Sequence, residues 1–504
     1  MTVKRQTAVS IFWLGVATIV TRAFSALQML ILAKLLLPAD FGLVQVATLA
    51  ISSLELFREL GFGSALIYWR REVEDAADTA FLIILSSSLL IYLIAFFGAE
   101  PLMQLISKDA ASAIQAVPVL RVLALTTVIS SIGQVPIILL AKDLNFRLKI
   151  IPDMFGAIGG GILAIALALA GFGVWSLVTG YVVEALIVAV AVWFVSSWRP
   201  RWRLRWTIAK EMFAYGKSIV GSQILVFLIT HIDDAFVSKL LGPASLGHYG
   251  FAYNTSNLPA THITRLVGQV TFPAFSKVQD SLETLRDIYL KTTRYVSLVS
   301  VPAAICIIAF APEFIHDVYG DKWVPAIVPL QLLGIYGLIR SVAANMGNVF
   351  KAGGKPQWLM GIALFRLILT VAGLYPATYY YGIVGVSALS AAIAVLDFAI
   401  SLVLTNRIVQ MTVGQFMRML LPILVNSTVA AAAAKIAYPQ LRFLPVAVAL
   451  PLAGIIMLIA YGLLIWATDA ESRQMARTLW REVRQRGGEL VARANAKLLR
   501  KGAA

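Results

Sequence analysis

Apolar and polar residues come in blocks along this chain. Apolar runs of roughly 20 to 30 residues lie near residues 8–33, 40–65, 78–98, 117–141, 150–172, 174–196, 212–238, 244–275, 293–312, 325–350, 356–376, 382–405, 417–438 and 444–467, with short polar stretches between them. A helix rising about 1.5 Å per residue crosses ~30 Å of hydrocarbon in such a length, with some tilt. The predicted fold is an all-α polytopic membrane protein with about fourteen transmembrane helices. Segments 212–238 and 244–275 are the most polar of the set, so their crossing rests on the loops as much as on hydropathy.

The loops support that count, because Lys and Arg collect on the cytoplasmic side of a membrane protein. One alternate set of loops carries Lys4 and Arg5, then Arg70 and Arg71, then Lys142, Arg147 and Lys149, then Arg199, Arg201, Arg203, Arg205 and Lys210. It continues with Lys277, Arg286 and Lys291, with Lys351 and Lys355, and with Arg407. The opposite set offers only Lys34, Lys108, Lys239, Lys322 and Arg442. Both termini are therefore expected in the cytoplasm. The first run is too long for a signal-peptide core and contains Arg22, so it is read as an uncleaved span.

The chain also repeats itself. Lys34, Pro38 and Gly42 return as Lys239, Pro243 and Gly247, each 205 positions later (239 − 34, 243 − 38, 247 − 42). A second match pairs Lys142 with Lys351 and Gly173 with Gly382, each 209 apart (351 − 142, 382 − 173). Two halves of six helices follow, running parallel because an even number returns the chain to its starting side, the common construction of secondary transporters. The expected organisation is an N-lobe at 1–205, a C-lobe at 206–410, a helix pair at 411–468 and a basic tail at 469–504. In the tail, Met475, Leu479 and Val483 recur four apart with Arg477, Arg481 and Arg484 on other faces, an amphipathic helix suited to the inner leaflet.

Composition agrees with the block pattern: 59% hydrophobic and 13% charged residues, with a mean hydropathy of +0.82, exclude a soluble protein. The net charge of +16 is dispersed among loops and forms no single face, so nucleic acid is not an expected partner. The link 197–210, where Trp198, Trp202 and Trp206 interleave with arginines, reads as an interfacial connector against anionic headgroups. Cys306 has no disulfide partner and reads as a packing residue. His248, His262 and His316 lack metal-ligand spacing. Gly156 and Gly160 form a small-xxx-small pair for helix packing, and Pro136 and Pro302 are candidate bend sites.

Charge inside the apolar runs carries the candidate chemistry. Arg22, Glu55, Arg58, Glu59, Arg121, Glu184, Asp233, Asp234, Arg265, Arg340, Arg366 and Asp397 all fall there. Facing lipid they would cost on the order of 30 kcal/mol together, so they pair inside the bundle or line a wet cavity. Glu55, Arg58 and Glu59 have i,i+3 and i,i+4 spacing and can satisfy one another on one helix face. Arg22, Arg340 and Arg366 lie near mid-span, with Glu184 and Asp397 as partners of matching depth. The excess of arginine predicts a cationic interior suited to a phosphate or pyrophosphate. His231, Asp233 and Asp234, toward the outer end of the seventh helix, form either an ion-coupling cluster or an outer-mouth hydrogen-bond network.

The stretch Lys34–Val44, followed by Leu54–Ile67 with its Glu55, Arg58, Glu59, Gly61 and Gly63, resembles the polysaccharide-transport branch of the multidrug/oligosaccharidyl-lipid/polysaccharide (MOP) exporter superfamily, in particular Wzx-type flippases of the colanic acid and teichuronic acid kind. The resemblance implies two six-helix lobes around a central cavity that opens to each side in turn, plus a final helix pair. It implies a cargo of undecaprenyl-pyrophosphate-linked oligosaccharide moved to the periplasmic leaflet of the bacterial inner membrane. It also implies cavity arginines on the first, second and eighth helices, where this chain has Arg22, Arg58 and Arg265. Arg340 and Arg366 join them as candidate headgroup ligands, and His231, Asp233, Asp234, Asp397 and Glu184 are the candidates for coupling to a proton or sodium gradient. No bound cofactor is expected; the bilayer, and a polymerase and chain-length regulator of the same pathway, are the expected partners. Two other classes stay open: a MATE-like cation-coupled drug antiporter, and a polysaccharide polymerase or ligase. An enzyme of the latter kind needs outer acid/base residues, and the longest outer connections, 99–116 and 311–324, hold little more than an amphipathic turn.

Overall fold

The computed structural model describes residues 24–143, 145–260, 281–355 and 357–474, together with positions 21, 271, 275 and 278. Arg22, Arg265 and the tail beyond residue 474 lie outside the described residues. Among the described residues every regular element is helical, and nine helices are long and apolar enough to cross a membrane. Large apolar side chains such as Leu90, Phe97 and Phe194 stand outward, as a lipid-facing surface requires.

The chain forms two compact units. The first comprises Met1–Thr255, Pro312–Leu333 and Met360–Ile393. In it α1 (Phe24–Leu35) leads through a proline turn into α2 (Pro38–Glu55) and α3 (Phe62–Tyr68). Then follow α4 (Val73–Phe97), the short α5 (Ala99–Ile106), α6 (Ala110–Leu123), α7 (Leu125–Lys142), α8 (Phe146–Leu169), α9 (Val174–Val195), α10 (Trp206–Leu241) and α11 (Pro243–Ser256). The second unit comprises Ser256–Ala311, Gly334–Leu359 and Ala394–Ala504. It holds most of α12 (Leu282–Glu313) and parts of α13 (Ile327–Ala343) and α15 (Gln357–Val409), while the π turn (Phe314–Tyr319) and 3₁₀ turn (Asp321–Ala326) that follow α12 belong to the first unit. It also holds α14 (Met346–Ala352), α16 (Val413–Leu441) and α17 (Val446–Thr468).

Among the described residues the apolar runs become helices for the reason the sequence suggests, but some are interrupted, as at 325–350, which is divided between α13 and α14. The run at 40–65 breaks between Glu55 and Phe62, where Leu60 (φ 46°) and Gly61 (φ 79°) turn left-handed. α10 crosses at this break: a Cβ on Gly61 would lie 2.2 Å from the Gly216 Cα. The run at 117–141 starts earlier, at Ala110, and is divided between α6 and α7 at Ala124. Pro136 and Pro302 lie inside α7 and α12.

The repeat is visible in the backbone. Gly173 (φ 54°, ψ −131°) and Gly382 (φ 58°, ψ −147°), 209 residues apart, adopt the same conformation, one open in practice only to glycine. Each directly precedes the next helical segment, and Gly382 divides α15 into two.

Packing of α8 on α9 depends on small residues. A Cβ on Gly160 would stand 2.6 Å from the Gly180 carbonyl oxygen, and one on Gly156 would stand 3.0 Å from that of Glu184. Backbones meet where side chains would otherwise keep them apart, the packing device expected of this glycine pair. The link before α10 is extended and strapped across the start of α4. The Arg201 and Arg205 amides donate to Asp78 Oδ1 (3.1 Å) and Thr79 Oγ1 (3.2 Å). Trp198 and Trp202 each stand edge-on to Phe81 at 5.8 Å.

Candidate functional site

Adjacent residues on a helix point about 100° apart, so Asp233 and Asp234 of α10 reach different neighbours. Asp233 Oδ2 accepts from the hydroxyl of Tyr249, a fully buried residue of α11, at 2.5 Å. Asp234 Oδ1 accepts from Gln45 Nε2 of α2 at 3.0 Å, and its Oδ2 meets His231 Nδ1, one turn earlier, at 3.3 Å. The Asp234 amide donates to Asp233 Oδ1 at 3.1 Å, tying the pair together. Gln45 has room to reach in because residue 250 is glycine: a Cβ there would lie 2.0 Å from Gln45 Oε1.

This cluster borders a cavity of about 310 Å³ whose walls include Gln45, Thr48, Ser52, Tyr181, Thr230, His231, Asp234, Tyr253 and Asn254. Its walls are mixed, since Met29, Phe41, Val44, Leu49, Leu177 and Phe251 stand beside those polar groups, and among the described residues that line it the charged or titratable side chains are the Asp234 carboxylate, the His231 imidazole and the Tyr181 and Tyr253 phenols. The volume suits an ion with its waters or one sugar ring, and is too small for a diphosphate oligosaccharide. A second hollow, about 390 Å³, lies near the ends of α7 and α9, with Glu74, Lys142 and Asp143 in its walls. The Lys142 ammonium is committed there to the carbonyls of Leu66 (2.8 Å) and Trp69, at the end of α3.

The other sequence candidates are scattered. Arg58 sits in the helix break, where its guanidinium contacts Glu55 Oε1 at 3.0 Å and Glu59 Oε1 at 3.6 Å. These three do satisfy one another, but across an unwound turn and not on one helix face. Gln134 adds a hydrogen bond to Glu59, and the Ser87 hydroxyl donates to the Arg58 carbonyl at 2.6 Å. Glu184 of α9 packs on Gly156 and Gly160 and lies close enough to Asp153 of α8 for the two carboxylates to repel. Asp153 is absent from the sequence-derived set, although it lies inside the apolar run at 150–172. Arg366 is half-buried in the first unit. In the second unit, Arg340 donates to Asn257 Oδ1 at 3.1 Å and lies 5.3 Å from the Tyr336 ring centroid. Asp397, also in the second unit, accepts from the Ser401 hydroxyl at 3.3 Å. Among the described sequence candidates, His231 and Asp234 line one cavity, with Asp233 tied to Asp234 behind them. Gln45, Tyr249 and Tyr181, their neighbours from other helices, are residues that sequence reading did not single out.

A helical membrane protein with paired carboxylates beside a small cavity, and breaks in its crossing helices, has the build of a transporter. The chain belongs to the polysaccharide biosynthesis protein family, which it matches over residues 31–328. It is similar to the lipopolysaccharide biosynthesis protein WzxC of Escherichia coli (strain K12), with 24% identity over 400 residues covering 77% of this chain and 78% of that protein. The succinoglycan biosynthesis transport protein ExoT of Rhizobium meliloti (strain 1021) is 28% identical over 342 residues, 68% of each chain. In fold it is similar to the lipid II flippase MurJ in an inward closed conformation, with a TM-score of 0.70, 12% identity and coverage of 90% of this chain and 98% of that one. An inward-facing multidrug MATE transporter of the MOP superfamily follows with a TM-score of 0.60, 16% identity and coverage of 80% and 99%.

Proposed function

We propose that the protein is a flippase for polyprenyl-diphosphate-linked oligosaccharides, moving units of a surface polysaccharide from the cytoplasmic to the outer leaflet of the bacterial inner membrane. The observation that carries this reading is the family match joined to a fold that follows a lipid II flippase over 90% of the chain. The physics fits: a charged diphosphate and its sugars cannot cross hydrocarbon unaided, whereas the polyprenyl tail can stay in lipid. The headgroup passes through a wet path between the halves 1–205 and 206–410 as they open to each side in turn; the helices of 411–468 face the tail, and the segment 469–504 lies on the inner leaflet. Lys and Arg in alternate loops put both termini in the cytoplasm. Arg22, Arg265, Arg340 and Arg366 supply the cationic contacts to the diphosphate, and Arg58 serves chiefly to neutralise Glu55 and Glu59 in the helix break. His231, Asp233 and Asp234, with Glu184 and Asp397 in support, supply groups that take up a proton or sodium ion and so couple the cycle to a gradient. A polymerase and chain-length regulator act on the released units.

Deleting the gene tests the proposal. Lipid-linked repeat units should then accumulate with their sugars on the cytoplasmic side, and surface polysaccharide should be lost; normal surface polysaccharide contradicts it. One observation favours a second reading, a cation-coupled drug antiporter: the Asp234 carboxylate and aromatic side chains such as Phe41, Tyr181 and Phe251 line the cavity. Gradient-driven export of cationic dyes by the purified protein in vesicles separates the two.

A further inference from the structure

The two copies of the repeated motif touch. A Cβ on Gly42 would lie 1.7 Å from the Pro243 carbonyl oxygen, and one on Gly247 would lie 2.0 Å from that of Pro38. Gly42 with Gly247, and Pro38 with Pro243, are mates under the 205-residue repeat, so the same contact is made twice, as across a twofold interface. This brings the starts of α2 and α11 together backbone to backbone.

On each side of the contact a lysine closes a clasp. The Lys322 ammonium donates to the carbonyls of Lys34 (2.7 Å) and Leu36 (2.6 Å), and Trp323 Nε1 donates to that of Ala33 (2.8 Å). These are carbonyls that the end of α1 leaves without helical partners. The mates of Ala33 and Lys34 in the second copy are Ser238 and Lys239, and they make the converse clasp. Ser238 Oγ donates to the Ile106 carbonyl at 2.8 Å, and the Lys239 ammonium to the Gln104 carbonyl at 2.9 Å, at the end of α5. Each clasp joins one half of the sequence to the other. Directly beneath, Phe41 and Phe251 line the cavity that Asp234 borders and also touch the buried Trp323 ring, at 5.6 and 4.7 Å between centroids.

We infer that the crossed clasps of Lys322–Trp323 and Ser238–Lys239 are the gating contacts that hold the outer end of the cavity shut. The halves can part there only if both clasps release. The hydrogen bonds suit release, because the acceptors are helix-end carbonyls that water can satisfy in the open state, while the buried Trp323 ring has to leave Phe41 as the two halves part. Residues 322 and 239 thus set the balance between outward-closed and outward-open forms. The inference rests on the alternating-access reading, but its test needs no cargo, so it fails or stands apart from the identity of the substrate.

The test is accessibility from outside. In a Cys306→Ala background, Thr48→Cys places a thiol in the cavity wall, and a membrane-impermeant maleimide is added to right-side-out vesicles. Slow labelling is expected with both clasps intact. Loss of one charge-assisted bond should raise the rate about tenfold in Lys322→Ala or Lys239→Ala, and further in the double variant. Lys322→Arg and Lys239→Arg should restore slow labelling, and Trp323→Phe, which keeps an aromatic ring but loses the donor and part of the indole's packing, should label at an intermediate rate. Both lysines lie at the periphery, so the variants should fold; complete labelling after denaturation checks the thiol. Labelling of the double variant at the parental rate overturns the inference.

Discussion

Asp233 and Asp234 hold their positions through partners that come from elsewhere in the chain, and these contacts define what each change should do. Tyr249→Phe removes a hydrogen bond from a buried phenol to a carboxylate and should lower stability by about 1.5–3 kcal/mol, read as a fall in melting temperature in detergent. Asp234→Asn keeps the size of the side chain and a contact to Gln45 but loses the charge; export should stop at normal expression, and an unchanged surface polysaccharide level speaks against ion coupling there. Outside the membrane, Asp469 offers a pH test. It accepts from Arg294 Nη2 at 2.6 Å and from the Ser472 hydroxyl at 2.7 Å. Burial alone would raise its carboxyl, but the hydrogen bonds from Ser472 and Arg294 outweigh that and hold it below the ordinary value. A depressed acid contributes stability above its unfolded value of about 3.9 and loses it as pH falls through the folded one. Melting temperature should therefore drop below about pH 4 in the parental protein, and this acid limb should flatten in Asp469→Asn. That variant should also be less stable at neutral pH by about 1.5–3 kcal/mol, because the buried Arg294 loses a charge-assisted bond and keeps only its second counter-charge, Glu471. The sequence made His231, Asp233 and Asp234 visible because charges inside an apolar run stand out. Gln45 and Tyr249 did not stand out, since an amide and a phenol in such a run look ordinary and Gln45 is 189 residues from its partner. Asp153 could have been found by giving every carboxylate in a run the same weight.

Among the elements, helix existence followed from block hydropathy, while helix interruptions did not. The spacing of Glu55, Arg58 and Glu59 is that of a helix face, yet the chain unwinds there; the cue was Gly61, which adopts φ 79° against Gly216 of α10. Only a contact 155 positions away (216 − 61) explains why helix propensity yields at that point. Gly61→Ala should be destabilising on both counts, by strain at positive φ and by a Cβ that meets backbone, and should lower the melting temperature more than Gly221→Ala, where a Cβ meets nothing within 4 Å. In α8, Gly160→Leu forces α8 from α9 and should cost about 1–3 kcal/mol or more, measured the same way. An unchanged melting temperature in Gly160→Leu would mean that the two helices do not need this close approach. The glycine turns at 173 and 382 were legible as a repeated sequence, and their shared backbone conformation gives that repetition a physical cause.

For the whole molecule, duplication was the most informative signal, and it is realised as contact: the repeated motifs meet each other, Gly42 on Pro243 and Gly247 on Pro38. The sparse lysines of the loops expected outside were legible only as a topology signal, whereas two of them, Lys239 and Lys322, prove to bind helix-end carbonyls across the repeat. Of the arginines expected to make the interior cationic, Arg22 and Arg265 lie outside the described residues and Arg58 is engaged by Glu55 and Glu59. Reconstitution measures directly whether this chain moves a diphosphate-linked glycan across the bilayer. Purified protein is placed in vesicles loaded with a short-chain polyprenyl-diphosphate oligosaccharide, and the fraction of headgroup open to an impermeant lectin or glycosidase outside is followed over time. The expected result is protein-dependent exposure of the inner-leaflet pool, abolished in Asp234→Asn. Equal exposure in protein-free vesicles and in vesicles carrying the parental protein, at every imposed proton or sodium gradient, would mean that the protein does not flip this lipid.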